Sequence, residues 1–600
     1  MDISLPHELE TLESTGLVLR GAESPELEYA FKHSLVQETT YGSLVRNRRV
    51  ELHRHVAEAI ESLGASPEAN AAILAIHFKE AGLPDKAFGY AAEAGDLARR
   101  MYAHTEALAS YDLALDLAHE LAPGASTDRL RRVYSNRGSI LEVTGRQAEA
   151  EENYRAMGRE AARMNDATMQ AEALNRLATI LAVSLGRPDE ARGLLGQALE
   201  LAERTSDLGM IARTLWNQGL TNRFLDPETA TGDFLRALEI VRRPDCQALP
   251  PEAGVRELEA FILADLLVTH EVSGRLRASK EFGRQALSIF RSLDNKAMVA
   301  DVLGGLSMLS QLSGDPGEAL RLSHEGQNIS TSIGNPWGIV YNGWLQLDVG
   351  LDRGHWDDVR SKGEALLGPA HEVSFPVFVG AIESILTRVY RLAGQPERAL
   401  EHAQAGLGPL NSPIWPIWAV WGFGNLGLAF LALGRIEEAA GVLEPIFAIR
   451  QGVVPGFQGY SVAAPSILEY ALTSGQIDRG LAFADWLISI MDEEGQIRTA
   501  AEVRHWRGRL HLAKGSADRA LTDLDQARDA FRTIGIPMLD WINEACRAEA
   551  LALARRSAEA QAARQRARTL ANELIAGLHS PDLRDGFAKT VVGVLGRETA

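Results

Sequence analysis

Apolar residues recur through most of the chain at the three- and four-residue spacing of a helix with one buried face, as in the stretches 191–201, 319–322 and 520–527. A turn signature punctuates these stretches: a Gly, then charged or polar residues, then a small residue five positions after the Gly. It reads GRQAEA at Gly145, GRPDEA at Gly186, GDPGEA at Gly314, GQPERA at Gly394, GRIEEA at Gly434 and GSADRA at Gly515. Looser copies stand at Gly274, Gly354 and Gly475, and two slots, at Asp226 and Arg555, lack the glycine.

From 145 to 555 there are ten intervals averaging 41 residues, and the steps through 274, 314, 354, 394 and 434 are of 40 each. A fixed period of this length marks a stacked array and not a single nucleus. The Gly ends one helix in a left-handed conformation without a Cβ penalty, and the acidic or polar residues after it suit the first turn of the next helix. The small residue, such as Ala150, Ala319, Ala399 or Ala439, lets paired helices approach closely. The fold expected is all-α: a right-handed superhelical solenoid of antiparallel helix pairs with a period of about 40, and a short β-hairpin near the N-terminus at 17–20 and 27–31, around Ser24 and Pro25.

These spacings resemble tetratricopeptide repeats from about Ala87 to Thr569, with a period longer than the usual length of about 34. The stretch YAFKHSLVQETTYGSLVRNRRVELHRHVAEAIE, Tyr29 to Glu61, is similar to the segment that links a winged helix to the helical arm of bacterial AAA- or STAND-type signalling ATPases, as in cyclase-associated or LuxR- and MalT-like regulators. Leu578 to Gly596 resembles the closing segment of the same arms. The resemblance implies a winged-helix remnant and linker at 1–61, a repeat solenoid at 62–575 and a closing segment at 576–600. It also implies that any ATPase, cyclase or DNA-binding module lies on sequence upstream, with this chain as its regulatory part.

Six hundred residues exceed what one core can hold, and 46% hydrophobic with 24% charged residues suffices to bury a long continuous one. A net charge of −19 argues against wrapping nucleic acid. Cys246 and Cys546 form no disulfide framework or metal motif, and the acidic N-terminus carries no export signal, so a cytoplasmic location is expected. The stretch 417–434 is nearly all apolar and about long enough for a bilayer, but its register with the repeat makes it a buried helix, with no membrane association.

No catalytic motif survives inspection. The dipeptide Gly-Lys of a P-loop is absent, no HExxH or GxSxG occurs, and GFGNLG at Gly422 lacks the strand that a dinucleotide fold needs; Gly427 is read as a helix-packing residue like Gly138 and Gly508. No cofactor or metal is expected and the chain is read as a binding protein, not an enzyme. Two basic clusters, Arg46, Arg48, Arg49, His53, Arg54 and His55, and then Arg547, Arg555, Arg556, Arg564, Arg566 and Arg568, are read as solvated helix faces, the second capping the stack.

The binding surface is sought on the first helix of each pair, which lines the concave side of such arrays, at thirteen, ten, six and three residues before the turn Gly. That count selects Asp301, Gln311, Tyr341, Trp344, Asp348, Arg388, Arg391 and Trp421, within a region, 337–421, that holds six of the ten Trp residues. Aromatic and Arg side chains suit a protein or peptide partner or a small polar effector. Trp356 is expected inside its helix pair, and Trp415 and Trp418 are expected to pack beside Pro416.

Overall fold

The structure, a computed structural model, describes residues 5–21, 29–62, 70–121, 124, 126–250, 254–373, 375–411, 416–448 and 457–596. The chain forms two compact units, Met1–Leu185 and Gly186–Ala600.

The first unit contains α1 (Leu5–Ser14), a two-stranded sheet, and then α2 (Ser34–Ser43), α3 (Arg46–Ser62), α4 (Ala71–Glu80), α5 (Pro84–Arg100), α6 (His104–Leu121), α7 (Thr127–Val143), α8 (Gln147–Met164) and α9 (Ala167–Thr179), which a π turn extends to Ser184. Strands β1 (Val18–Arg20) and β2 (Tyr29–Phe31) pair antiparallel, with Val18 opposite Phe31, so the expected hairpin forms; its turn lies outside the described residues.

The second unit opens with α10 (Pro188–Thr205), α11 (Leu208–Asn222), α12 (Pro227–Val241) and the short α13 (Pro244–Gln247). It continues through α14 (Val255–Val272), α15 (Leu276–Ser292), α16 (Lys296–Leu312), α17 (Pro316–Ser332), α18 (Pro336–Asp352), α19 (Trp356–Glu372), α20 (Val377–Leu392), α21 (Pro396–Leu410) and α22 (Pro416–Ala432). The last eight are α23 (Ile436–Ala448), α24 (Phe457–Thr473), α25 (Ile477–Glu494), α26 (Ile497–Ala513), α27 (Ala517–Ile534), α28 (Pro537–Leu553), α29 (Ser557–Ala576) and α30 (Pro581–Leu595). Among the described residues no helix is long and apolar enough to cross a membrane.

The regularity has a local cause. Backbone with positive φ falls at Gly274, Asp294, Gly314, Gly334 and Gly354, twenty residues apart, so each half-repeat is one helix and one left-handed turn. Helices α16 to α19 have 17 residues each, which lengthens the period to 40. Their starts are fixed by side-chain caps: Asn295, Asp315 and Asn335 accept from the backbone N–H three residues on, and Pro316 and Pro336 occupy the first helical position. Of the two slots without glycine, Arg555 adopts the left-handed turn itself (φ 60°), whereas Asp226 keeps a negative φ of −144° and caps α12 by accepting from Thr229 N.

Pairs close through a glycine on the first helix that receives a bulky residue sixteen positions later. A Cβ on Gly95 would lie 2.5 Å from Tyr111, on Gly138 2.3 Å from Tyr154, on Gly427 2.5 Å from Leu443 and on Gly508 2.7 Å from Leu524. Gly427 is therefore a packing residue inside α22. The small residues Ala150, Ala191, Ala319, Ala399, Ala439 and Ala520 are fully buried.

Within the second unit the solenoid winds back on itself. Helices α14, α16, α18 and α20 touch α24, α26, α28 and α30, each ten helices further on. The turn glycines are the seams between the two layers: Gln496 Nε2 donates to Gly274 O (3.1 Å), a Cβ on Gly314 would meet Ile534 at 3.0 Å, one on Gly354 would meet Leu574 at 2.3 Å, and one on Gly394 would meet Gly586 O at 3.0 Å. Asp357 accepts from the backbone of His579 (2.7 Å) and Ser580 (3.2 Å) at the start of α30, and Arg360 pairs with Asp582 (2.9 Å). Trp356 packs inside its own pair, where it donates to Leu351 O of α18 at 3.3 Å, and it also meets Phe587 of α30 edge-on at 4.8 Å where the second layer reaches its turn.

Candidate functional site: an aromatic and ionic cavity

The winding encloses a cavity of about 470 Å³ in the second unit. First helices of successive pairs line it, α16, α18, α20 and α22 from one layer and α26 and α28 from the next, with α24 between them and α30 closing it. The size lies within the ordinary range of small-molecule sites, roughly 300 to 1,000 Å³.

Six of the eight residues selected by the turn count line this space: Gln311, Trp344, Asp348, Arg388, Arg391 and Trp421. The other two are taken into the wall. Asp301 accepts from Trp337 Nε1 (3.1 Å), and Tyr341 stacks on Phe378 with ring centres 5.6 Å apart. Burial disfavours the charged form of both groups, holding the Asp301 carboxyl above its ordinary pKa and the Tyr341 phenol far above its own.

At one end the lining is aromatic. Trp344 and Trp421 lie with ring centres 5.9 Å apart, and Trp418 and Trp421 with theirs 6.0 Å apart. Trp418 belongs to the lining, and its indole N–H has no hydrogen-bond partner. Trp415 lies outside the described residues. Asn425 donates to Ser384 Oγ (2.8 Å) beside them.

One or two helical turns further along α18 and α20 the wall becomes ionic. Arg388 faces Asp348 at 3.5 Å, and Arg391 pairs with Glu469 of α24 at 2.5 Å. Asp352, at the end of α18, accepts from Gln311 Nε2 (2.7 Å) and from both Nε (2.9 Å) and Nη2 (2.7 Å) of Arg498, the second residue of α26. Arg498 also pairs with Glu502 at 2.6 Å. Burial opposes the Arg498 charge, yet Asp352 and Glu502 outweigh it and leave the guanidinium more basic than usual. For Asp348, burial and then the nearby Asp352 raise the carboxyl pKa, against the pull of Arg498 and Arg388.

Beyond that belt α26 carries the lining on through Glu502, His505, Trp506 and Arg509. His505 is buried against Asn543, whose amide donates to Leu524 O (2.9 Å) and so presents its oxygen to His505 Nδ1 at 3.0 Å. Burial, with Arg509 nearby, lowers the His505 pKa to about 3, so the ring is neutral with its proton on Nδ1.

The turn count also reaches these residues when it is continued to later repeats. Counting back from Gly475 gives Glu469, and from Gly515 gives Glu502, His505 and Arg509. Arg498 and Trp506 fall outside the count, because their place in the cavity depends on the second layer.

Neither basic cluster forms a continuous site. Arg48 and Arg54 pair with Glu51 and Glu58 on α3, while His53 meets Tyr41 Oη at 2.9 Å. In the second cluster Arg555, Arg556, Arg564 and Arg566 are exposed, but Arg547 is buried, in contrast to the solvated face expected for it. It bonds Glu544 (2.7 Å) and Asp525 (2.6 Å), since the glutamate it serves is wholly enclosed by α27 and α28. Cys246 and Cys546 are both buried and free, and burial pushes the Cys546 thiol up to about 11. Among the described residues no group of His, Cys, Asp or Glu is arranged to hold a metal ion.

The tetratricopeptide repeat family matches at residues 169–243. An uncharacterised protein of Rhizobium meliloti (strain 1021) is 30% identical over 129 residues, which is 21% of this chain and 12% of the relative; the match therefore spans a small part of that protein's length. Among solved structures, the Cut9–Hcn1 hetero-tetramer of the APC/C is 12% identical over 83% of this chain and 95% of that one, with a TM-score of 0.38. The Rap protein complexed with competence and sporulation factor is 13% identical over 68% and 99%, with a TM-score of 0.36. BtubC from P. vanneervenii is 20% identical over 42% and 93%, with a TM-score of 0.29. Its own helix pairs, left-handed turns and small-residue contacts, together with the matched segment, make this chain an all-helical solenoid of tetratricopeptide-type repeats.

Proposed function

We propose that this protein is a non-catalytic sensor or scaffold in bacterial signal transduction that holds a small effector, or the end of a peptide, inside the coil of its second unit. The observation that carries this reading is the cavity wall itself: three tryptophans at one end, then arginine and carboxylate side chains from four helices, around a space of ligand size. Large aromatic faces supply contact area at low entropic cost, and paired charges supply direction. His505, the histidine among the described residues lining the cavity, is held neutral by burial and meets Asn543 through Nδ1, which makes it a weak base.

The test is native mass spectrometry of full-length protein purified from its source cell, followed by tryptophan fluorescence titration with whatever is released. A bound species at near one per chain, whose signal weakens in Trp344→Ala and Trp421→Ala, supports the reading. Protein that carries nothing, or that turns over ATP or a cyclase substrate at enzyme-like rates, contradicts it.

The alternative places the same solenoid as the regulatory arm of an ATPase, nucleotide cyclase or transcription regulator whose working module is encoded upstream. The β1–β2 pairing ahead of the linker-like α2 and α3 supports it, as does a relative of which the matched stretch is only 12%. An upstream reading frame carrying GxxxxGK[ST] would favour this alternative; its absence in the genome would count against it.

A further inference from the structure

Each carboxylate that lines the cavity already has a guanidinium: Asp348 has Arg388, Glu469 has Arg391, and Glu502 has Arg498. Arg498 is held in addition by Asp352 behind the wall. These pairs neutralise one another, so they select neither a cationic nor an anionic ligand. Arg509 differs. Among the described residues lining the cavity it is the cation with no carboxylate partner, and its guanidinium lies over the Trp506 ring, 4.2 Å from the centre.

The lining it shares is largely apolar and includes Trp506 on its own helix, Met538 and Ile542 on α28, and Phe587 on α30. Arg509 is half-buried, so water reaches its charge. A ligand that filled this end would strip that water away. A neutral one would leave a guanidinium without a counter-charge in an apolar chamber, a penalty of the kind that makes unpaired buried ions strongly unfavourable. A ligand bringing its own oxyanion would replace the lost hydration with charge-assisted hydrogen bonds in the planar fork that arginine offers.

A second observation points the same way. Trp541, 3% exposed and also lining the cavity, has an indole N–H with no acceptor. Trp418 Nε1 and Arg391 Nε are likewise donors without partners. On this wall three unpartnered donors stand against one unpartnered acceptor, Gln311 Oε1, and an oxyanion supplies acceptors.

Resting on the cavity reading above, we propose that the effector is an organic anion, a single carboxylate-type oxyanion on a ring-sized apolar body, with the oxyanion bound by Arg509 and the body against Trp506, Ile542 and Phe587. The paired ionic belt of Asp348, Arg388 and Arg498 bounds the site and sets its length.

Two probes that share their rings and differ in charge test this: 8-anilinonaphthalene-1-sulfonate, and N-phenyl-1-naphthylamine, which lacks the sulfonate. Each is titrated into the full chain and into the variants Arg509→Gln, Arg509→Lys and Ile542→Trp, the last filling the lumen. Thermal unfolding of each variant checks that it is folded, and Arg509→Met replaces Arg509→Gln if the latter is not. Ile542→Trp is expected to weaken both probes. Arg509→Gln is expected to weaken the sulfonate by roughly tenfold or more and to leave the neutral probe unchanged, with Arg509→Lys between. If Arg509→Gln leaves the sulfonate as tightly bound as before while Ile542→Trp weakens both, the anion assignment is overturned and the cavity reading stands. If neither probe binds the wild-type chain, or binding ignores Ile542→Trp, both are overturned.

Discussion

Arg498 and Asp352 lie 146 residues apart in sequence and form a two-pronged ion pair, with Nε–Oδ2 and Nη2–Oδ1 distances of 2.9 and 2.7 Å, buried where one layer of the coil meets the next. The pair also receives Gln311 and Glu502, so three helices, α16, α18 and α26, depend on it. Removing one partner leaves a buried charge uncompensated, which typically destabilises by about 3–5 kcal/mol, whereas an apolar pair of similar volume can be close to neutral. In urea denaturation, Asp352→Leu and Arg498→Met should each lose about that much, and the double variant should recover at least half of the summed loss. Additive losses would mean that the two side chains are not coupled.

The turn glycines separate two effects that a single substitution would mix. Gly434 and Gly354 both hold left-handed backbone, at φ 70° and 81°, but a Cβ on Gly434 meets nothing within 4 Å while one on Gly354 meets Leu574 at 2.3 Å. Gly434→Ala should therefore cost about 1 kcal/mol from backbone strain alone. Gly354→Ala should cost clearly more, and Leu574→Ala should relieve part of the excess in the double variant. Equal losses at the two positions, read from chemical denaturation, would remove the interlayer contact from the account.

The last helix is fastened at its start. Asp357 accepts from His579 N and Ser580 N, and Arg360 holds Asp582 and Ser580. Replacing the Asp357 carboxylate by an amide, Asp357→Asn, should raise amide hydrogen exchange across α30 several-fold while leaving α14 unchanged, since only the former loses a cap. Uniform protection in both proteins would show that these contacts do not hold α30.

His505 gives a pH signature. Its folded-state pKa, about 3, lies below the ordinary value of 6.5, so below 6.5 the unfolded chain takes up a proton that the folded chain refuses. Its contribution to stability is full above pH 6.5 and is lost progressively as pH falls towards 3. Asp348 acts in the opposite sense, because a carboxyl with a raised folded pKa gains stability on acidification. The difference between wild type and His505→Asn, both titrated by thermal unfolding from pH 7 to 4.5, isolates the histidine: the wild type should lose more stability over that range. Parallel curves would mean that the imidazole is not buried neutral.

Much of this was readable from the chain before any coordinates. The step of 40 residues through Gly274, Gly314, Gly354, Gly394 and Gly434 is a local property, since each glycine supplies its own turn, and the helix faces follow from it. The same locality explains why a count back from those glycines put Trp344, Asp348 and Arg388 on the inner wall. The count does not see side-chain partners: Asp301 lies against Trp337, and Tyr341 stacks on Phe378. Arg547 was misread for a related reason, because its exposure depends on Glu544 and Asp525, which α27 and α28 bring around it. The closure of α16 against α26, ten helices on, is written in no local pattern; it arises from the summed rotation of successive pairs, and with it come Arg498 and Trp506 in the cavity.

The central claim is that the second unit coils until its layers touch and enclose the site. A pulsed electron resonance distance between spin labels at Glu397→Cys, beside the Gly394 turn, and Asp585→Cys, on α30, measures it directly; both positions are exposed and both native cysteines are buried. Coiling predicts a single narrow distribution below about 25 Å, the separation of elements in packing contact plus two label arms. Helix pairs stacked in line at about 10 Å each would place the same labels about 45 Å apart or more, and that result would contradict the account.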